Sequence, residues 1–219
     1  MRRALIASAA LLCACGDAAP PAAPDPEANP DPSEVLAVFE IENGADHIWI
    51  ADPDASSITF SAVQEGEAFT GRFETFDSRI NLDTDAPVGP VADAAITVTI
   101  PVSSVRTGDA ERDEALPGRD WFDAENHPFA TYMSDRIARL DDGSYRADGM
   151  LTLRGVSMPV TLDFDLEEAE GRAVATGRAT LDRREFGVGS GAFDTDQWIA
   201  FPVGVTVDVV AVRADAPPR

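Results

Sequence analysis

The chain has 219 residues, a formal charge of −22 and 17 basic residues, every one of them arginine. A hydrophobic share of 44% with 7% aromatic residues is enough for a packed core, so one large domain or two small ones are expected and a wholly disordered chain is excluded. Phosphate binding needs clustered cations, so the charge argues against nucleic acid; it reads as solubility or as an acidic docking surface for a basic partner.

In chain order, the first element is an address. Arg2 and Arg3 precede an apolar run over residues 4–12, which makes the n- and h-regions of a signal peptide. The run is too short to span a bilayer, which takes about 20 apolar residues. Leu12-Cys13-Ala14-Cys15 resembles a bacterial lipobox with Cys15 as the lipidated residue, and an ordinary cleaved leader is the other reading. Six prolines between residues 16 and 33 have nothing to bury and favour extended geometry, as a spacer does. The expected organisation is a lipoprotein-type signal peptide over residues 1–14, a Pro/Ala/Asp-rich linker over 15–33 and a β-barrel over 34–215. Lipid and spacer together predict a periplasmic protein anchored to a membrane, inner or outer being left open.

From about residue 46 the apolar period is two. Ile58, Phe60 and Ala62 share one face, as do Phe69, Gly71 and Phe73. The same holds for Ile96, Val98 and Ile100, then for Tyr145, Ala147, Gly149, Leu151 and Leu153. Val160, Leu162, Phe164 and Leu166 follow, and Ile199, Phe201, Val203, Val205 and Val207 form the last run. Glu65-Gly66, Asp142-Gly143 and Glu170-Gly171 mark hairpin turns. The one interruption is residues 109–127, where a short helix from Asp109 to Leu116 is stopped by Pro117-Gly118. Some eight strands, each apolar on one face, predict an all-β antiparallel sheet closed into a barrel, although a sandwich would alternate similarly. Gly71 and Gly149 on the apolar face suit bends at barrel corners.

Little in the domain points to chemistry. Cys13 and Cys15 both precede it, so it has neither a disulfide nor a thiol nucleophile. His47 and His127 lie far apart without metal-ligand spacing. No catalytic residue and no metal are expected.

Six phrases carry a family likeness. They are Ser57-Ile58-Thr59-Phe60, Phe69-Thr70-Gly71-Arg72-Phe73, Arg112-Asp113-Glu114-Ala115-Leu116, Trp121-Phe122-Asp123 with Pro128, Leu151-Thr152-Leu153-Arg154-Gly155-Val156 with Pro159, and Asp182-Arg183-Arg184-Glu185-Phe186-Gly187. In that order, within residues 48–212, they resemble the YceI-like family of bacterial periplasmic lipid-binding proteins. Many relatives carry a His just before the first-strand Ser and another in the Asp-x-x-Leu turn; here Asp54-Ala55 and Glu114-Ala115 stand there.

The resemblance implies a lipocalin-like eight-stranded barrel whose tunnel holds a long-chain isoprenoid lipid, a polyprenol or an isoprenoid quinone, with no other cofactor. It points as well to a homodimer and to a membrane partner of the cytochrome b561 type. On that reading the ligand-binding residues are Phe60, Phe69, Phe73, Ile96, Val98, Phe122, Phe129, Tyr132, Leu151, Leu153, Leu162, Phe164, Phe186, Trp198 and Phe201. Tyr132 and Trp198 would offer hydrogen bonds at a mouth. Arg106 or Arg183 would meet an anionic head group, or else form surface salt bridges. Periodicity does not separate a tunnel from a dry core. The alternative function is a non-catalytic stress-protection or interaction module with a filled barrel and an acidic docking surface.

Overall fold

Alternation with one buried face decides the architecture. The computed structural model describes residues 47–214, apart from the side chain of Asp135; the signal peptide, Cys15, the linker and the first residues of the expected domain lie outside the described residues. Among the described residues the strands are β1 (Ile48–Ala51), β2 (Ser57–Gln64), β3 (Glu67–Phe73), β4 (Asp77–Asn81), β5 (Gly89–Pro90), β6 (Ala95–Pro101), β7 (Val105–Arg106), β8 (Phe129–Arg139), β9 (Tyr145–Leu153), β10 (Val156–Ala169), β11 (Arg172–Asp182) and β12 (Pro202–Arg213), with one α-helix, α1 (Ala110–Ala115), and three short 3-10 turns at Val102–Ser104, Arg183–Phe186 and Gly191–Phe193.

Several of these segments are pieces of one longer strand. Trp49 of β1 faces Arg213 and Ile58 of β2 faces Val207, both on β12. β4 and β3 lie in turn along β1 and β2, and β6 and β7 along β4 and β3. With β8 to β12 they form eight antiparallel rows, and the ring closes where β12 meets β1 and β2. The short β5 pairs with the end of β8. The expected eight-stranded antiparallel barrel is therefore the fold.

Local chemistry sets the hairpins. Glu65-Gly66, Arg154-Gly155 and Glu170-Gly171 all have positive φ at both residues, between 52° and 86°. That is the type I′ geometry whose twist matches the strands it joins. Arg154-Gly155 was not among the turns expected from sequence. The expected helix is present, with the Asp109 carboxylate accepting from Arg112 N at 3.0 Å as its N-cap. The last strand begins at Pro202, so Ile199 and Phe201 precede it; Ile199 makes an isolated bridge to Gln64. Gly71 and Gly149 serve close approach. A Cβ on Gly149 would stand 2.5 Å from Met133 O, and one on Gly71 would enter the Phe60 ring.

The barrel interior has two halves. One is packed solid around Leu82, Ile96, Tyr132, Tyr145 and Phe164. Tyr145 and Phe164 face each other across β9 and β10, their rings stacked at 5.3 Å and 14°. The other half is ringed by Val102, Val105, Leu116, Phe122 and Phe186, and it is open at the centre.

Candidate ligand-binding cavity

The open half holds a cavity of about 440 Å³. Its walls follow from the strand period. Ile58, Phe60 and Ala62 reach it from β2, Leu151 and Leu153 from β9, Val203 and Val205 from β12. Aromatic rings form a chain along one wall. Phe60 meets Phe69 edge-on at 6.2 Å and Phe73 at 6.0 Å, and Phe73 lies 5.9 Å from Phe122. Such spacings are the favourable tilted and T-shaped contacts of aromatic pairs.

The opening runs along α1. Glu111 and Ala115 are exposed and yet border the cavity. Arg112 crosses the opening: its Nη1 donates to Gln64 Oε1 at 3.1 Å and its guanidinium stacks 4.5 Å from the Phe69 ring centre. Asp109 Oδ2 is 3.6 Å from Arg112 Nη2. Within α1, Asp113 accepts from the Thr107 hydroxyl and backbone N–H at 2.7 and 2.6 Å, and these bonds hold its carboxyl below the usual range. The far rim is the loop over residues 187–201, joined to the α1 side by Trp121–Phe193 ring contact at 5.0 Å and by bonds from Gly189 and Ser190 N–H to Asp120 O.

Arg183 holds that loop. It is 4% exposed and its five N–H bonds end on five carbonyl oxygens, of Ala200, Val188, Gly189, Thr195 and Ile199, at 2.8–3.3 Å. Burial pulls its pKa down, partly offset by Asp182 nearby. It borders the cavity, but as a spoke for the loop with every donor occupied. Arg106 lies on the surface, donating to Ser103 and Val105 carbonyls and pairing with Glu74 at 3.4 Å. This matches its salt-bridge reading.

Of the fifteen residues expected to line a tunnel, Phe60, Phe69, Phe73, Phe122, Leu151, Leu153 and Phe186 border the cavity. Ile96, Val98, Tyr132, Leu162 and Phe164 do not; they fill the packed half. The expectation that Tyr132 serves a mouth is corrected by its burial, with Ala147 O and Val160 O at 3.2 and 3.3 Å sharing its single hydroxyl proton. That burial pushes its pKa up to about 12. Trp198 stands 44% exposed on the outer surface, beyond the point where alternation controls direction. Phe201 precedes β12, and its ring lies 3.8 Å from the Arg184 guanidinium. Phe129 opens β8 opposite Pro101, two residues from the buried Thr131–Thr99 pair, and does not border the cavity.

Sequence reasoning missed Arg112 and Gln64. The available signal was helical spacing, since Arg112 stands four residues before the buried Leu116 and shares its face. Among the described residues no group of three or more His, Cys, Asp or Glu side chains is placed to hold a metal ion, and no helix is long and apolar enough to cross a membrane.

A family model described as a YceI-like domain matches residues 49–211. A UPF0312 protein of Pseudomonas fluorescens is 30% identical over 185 residues, spanning 77% of this chain and 91% of that protein. The crystal structure of Burkholderia cenocepacia BcnA aligns with a TM-score of 0.69 at 26% identity, covering 74% of this chain and 99% of BcnA. A polyisoprenoid binding domain from Saccharophagus degradans, implicated in plant cell wall breakdown, aligns with a TM-score of 0.57 at 15% identity over 75% of this chain and 98% of that domain, and shows the shared fold.

Proposed function

Because this chain belongs to the YceI-like family, we propose that it is an exported binding protein that holds a long-chain isoprenoid lipid, a polyprenol or an isoprenoid quinone, in the open half of its barrel. The observation that carries this reading is the 440 Å³ cavity, walled by hydrocarbon and aromatic rings, its polar lining confined to Arg183 and to the residues along its opening. Its volume falls within the roughly 300–1,000 Å³ of small-molecule sites. An isoprenoid tail needs no hydrogen bonds, and burying it gains about 25 cal/mol per Å². The filled-barrel alternative called for no cavity above about 300 Å³. The polyisoprenoid-binding domain of Saccharophagus degradans, on the same fold, supports the ligand class.

Binding rather than catalysis suits the lining. Arg183 has its donors committed to carbonyls, and the other charged lining groups sit at the rim, so among the described residues no acid–base pair faces the interior. Acylated Cys15 and the proline-rich spacer would keep the barrel beside a periplasmic membrane, the reservoir of such a ligand. A b561-type cytochrome is the membrane partner this arrangement would serve.

Native mass spectrometry and solvent extraction of the full chain, purified from a bacterial membrane fraction, test the reading. A bound mass spaced by isoprene units is expected. Protein that repeatedly emerges empty and takes up neither quinone nor polyprenol refutes it. Labelled palmitate incorporation, abolished in Cys15→Ala, tests the anchor separately.

A further inference from the structure

Given the lipid-holding reading, on which this inference rests and which it deepens, the one polar end of the cavity bears on the head group of the occupant. Of the two arginines that border the cavity, Arg183 has no N–H to spare. Arg112 differs. Nη1 is bonded to Gln64 and Nη2 lies within ion-pair distance of Asp109, but Nε is buried and donates to nothing among the described residues. Nε has no accessible surface, so the N–H groups that an occupant of the cavity can reach are those of Nη1 and Nη2 beyond the one bonded to Gln64. The Phe69 ring beneath the guanidinium fixes its plane, and Gln64 fixes one edge. The group is held in place before any ligand arrives.

The neighbours decide which acceptor. Asp109 and Glu111 border the cavity with Arg112, so the rim there carries two carboxylates and one guanidinium. Asp113 and Glu114 add to the same helix, and the whole chain carries −22. A phosphate or pyrophosphate entering this rim meets like charge at close range, which disfavours it. A quinone carbonyl or a hydroxyl oxygen accepts the same hydrogen bond without that repulsion.

We propose that Arg112 recognises the head group of the bound isoprenoid, and that the acidic rim restricts that head to an uncharged oxygen acceptor and rejects polyprenyl phosphates. Arg112 is thus a specificity-determining residue, and the rim carboxylates are a filter.

The test titrates the full chain with squalene, geranylgeraniol, ubiquinone-2 and geranylgeranyl phosphate, following the fluorescence of Trp121, which borders the cavity. Wild type should bind geranylgeraniol at least about tenfold more tightly than its phosphate. Raising salt to 1 M, where the Debye length falls to about 3 Å, should narrow that gap. Arg112→Gln should weaken geranylgeraniol and ubiquinone-2 about fivefold, the worth of one net hydrogen bond, and leave squalene unchanged. The pair Asp109→Asn and Glu111→Gln, which keeps an N-capping side chain, should raise affinity for the phosphate and leave the alcohol within about twofold. Equal wild-type affinity for alcohol and phosphate overturns the proposal, as does a gap indifferent to salt, which needs no variant to fold. An Arg112→Gln loss as large for squalene as for geranylgeraniol overturns it as well. Loss of all four probes, squalene included, strikes the lipid-holding reading itself, and the squalene arm tells the two failures apart.

Discussion

Gly71 stands opposite Phe60 in the β2–β3 pair, and a Cβ added there would lie 2.3 Å from Phe60 Cζ and 2.4 Å from Cε1. Carbon atoms in contact sit about 3.5–4.0 Å apart, so the ring has to move by more than an ångström in Gly71→Ala. Phe69 and Phe73 flank it at 6.2 and 6.0 Å, which leaves the cavity as the free direction. Overpacking of this kind costs about 1–3 kcal/mol. A loss of about 2 kcal/mol lowers the melting temperature by about 4–8 °C in a domain of this size. In urea, at a slope of about 2 kcal/mol per molar, it moves the midpoint down by about 1 M. The displaced ring also fills space that the lipid tail would use, so isoprenoid affinity should fall with stability. Phe60→Leu removes the atoms that clash, and the double variant should be less destabilised than the sum of its parts. Urea melts of the wild type, both single variants and the double, with an isoprenoid titration of each, measure all of this. If Gly71→Ala leaves both stability and affinity unchanged, or if the double variant is additive, the steric argument is wrong.

Other predictions draw on different parts of the molecule. Tyr132, raised by burial to about 12, contributes stability that is intact below its unfolded value of 10.0 and is lost as pH rises through the folded one. A fall on the order of 2 kcal/mol between pH 10 and 12 is expected. It should be smaller in Tyr132→Phe, where Tyr145, also raised by burial, remains. Arg183→Lys keeps a charge but offers three donors for five carbonyls, and should cost about 3 kcal/mol or more. Hydrogen exchange over residues 188–199 should accelerate in it before the barrel opens, and unchanged protection there would refute the spoke role. Asp109→Ala removes the N-cap of α1 at a cost of about 1 kcal/mol, read as faster proteolysis near residues 110–115. The Asp113 carboxyl is held low, so its grip on Thr107 is present above its unfolded value of 3.8 and lost as pH falls below it. Amide exchange at Thr107 should rise over that range.

Much of the fold was legible in the residues because one barrel face is buried along its whole length. The period-two runs at 58–62, 69–73 and 145–153 therefore point their apolar members inward. The helix was legible from Asp109 and Pro117-Gly118, which act within a single turn of chain. The breaks at 52–56, 74–76 and 102–104 were not, because they interrupt rows without changing which face is apolar. The cavity was half legible for the same reason. Ile96, Leu162 and Phe164 alternate just as Phe60 and Leu151 do. What separates them is where each strand crosses its neighbour and whether a ring opposite fills the space, as Tyr145 does for Phe164. Those are relations between distant segments. Tyr132 and Trp198 were placed at a mouth on side-chain chemistry alone; the strand position of Tyr132 buries it, and Trp198 stands in a turn ahead of the last strand, 44% exposed.

The way the ring closes has a consequence for the order in which the molecule is made. β12 seals the barrel, and its partners on β2 come from the other end of the domain. Ser56 and Val210 exchange hydrogen bonds 154 residues apart, and Thr59 reaches Thr206 across 147. Such distant pairings slow folding, and here none of them can form before the last strand is synthesised. For the export route proposed above, this delay is useful. A chain fed through a translocon from its N-terminus stays open, and so threadable, until its final strand has crossed. On that route the barrel would close only after crossing.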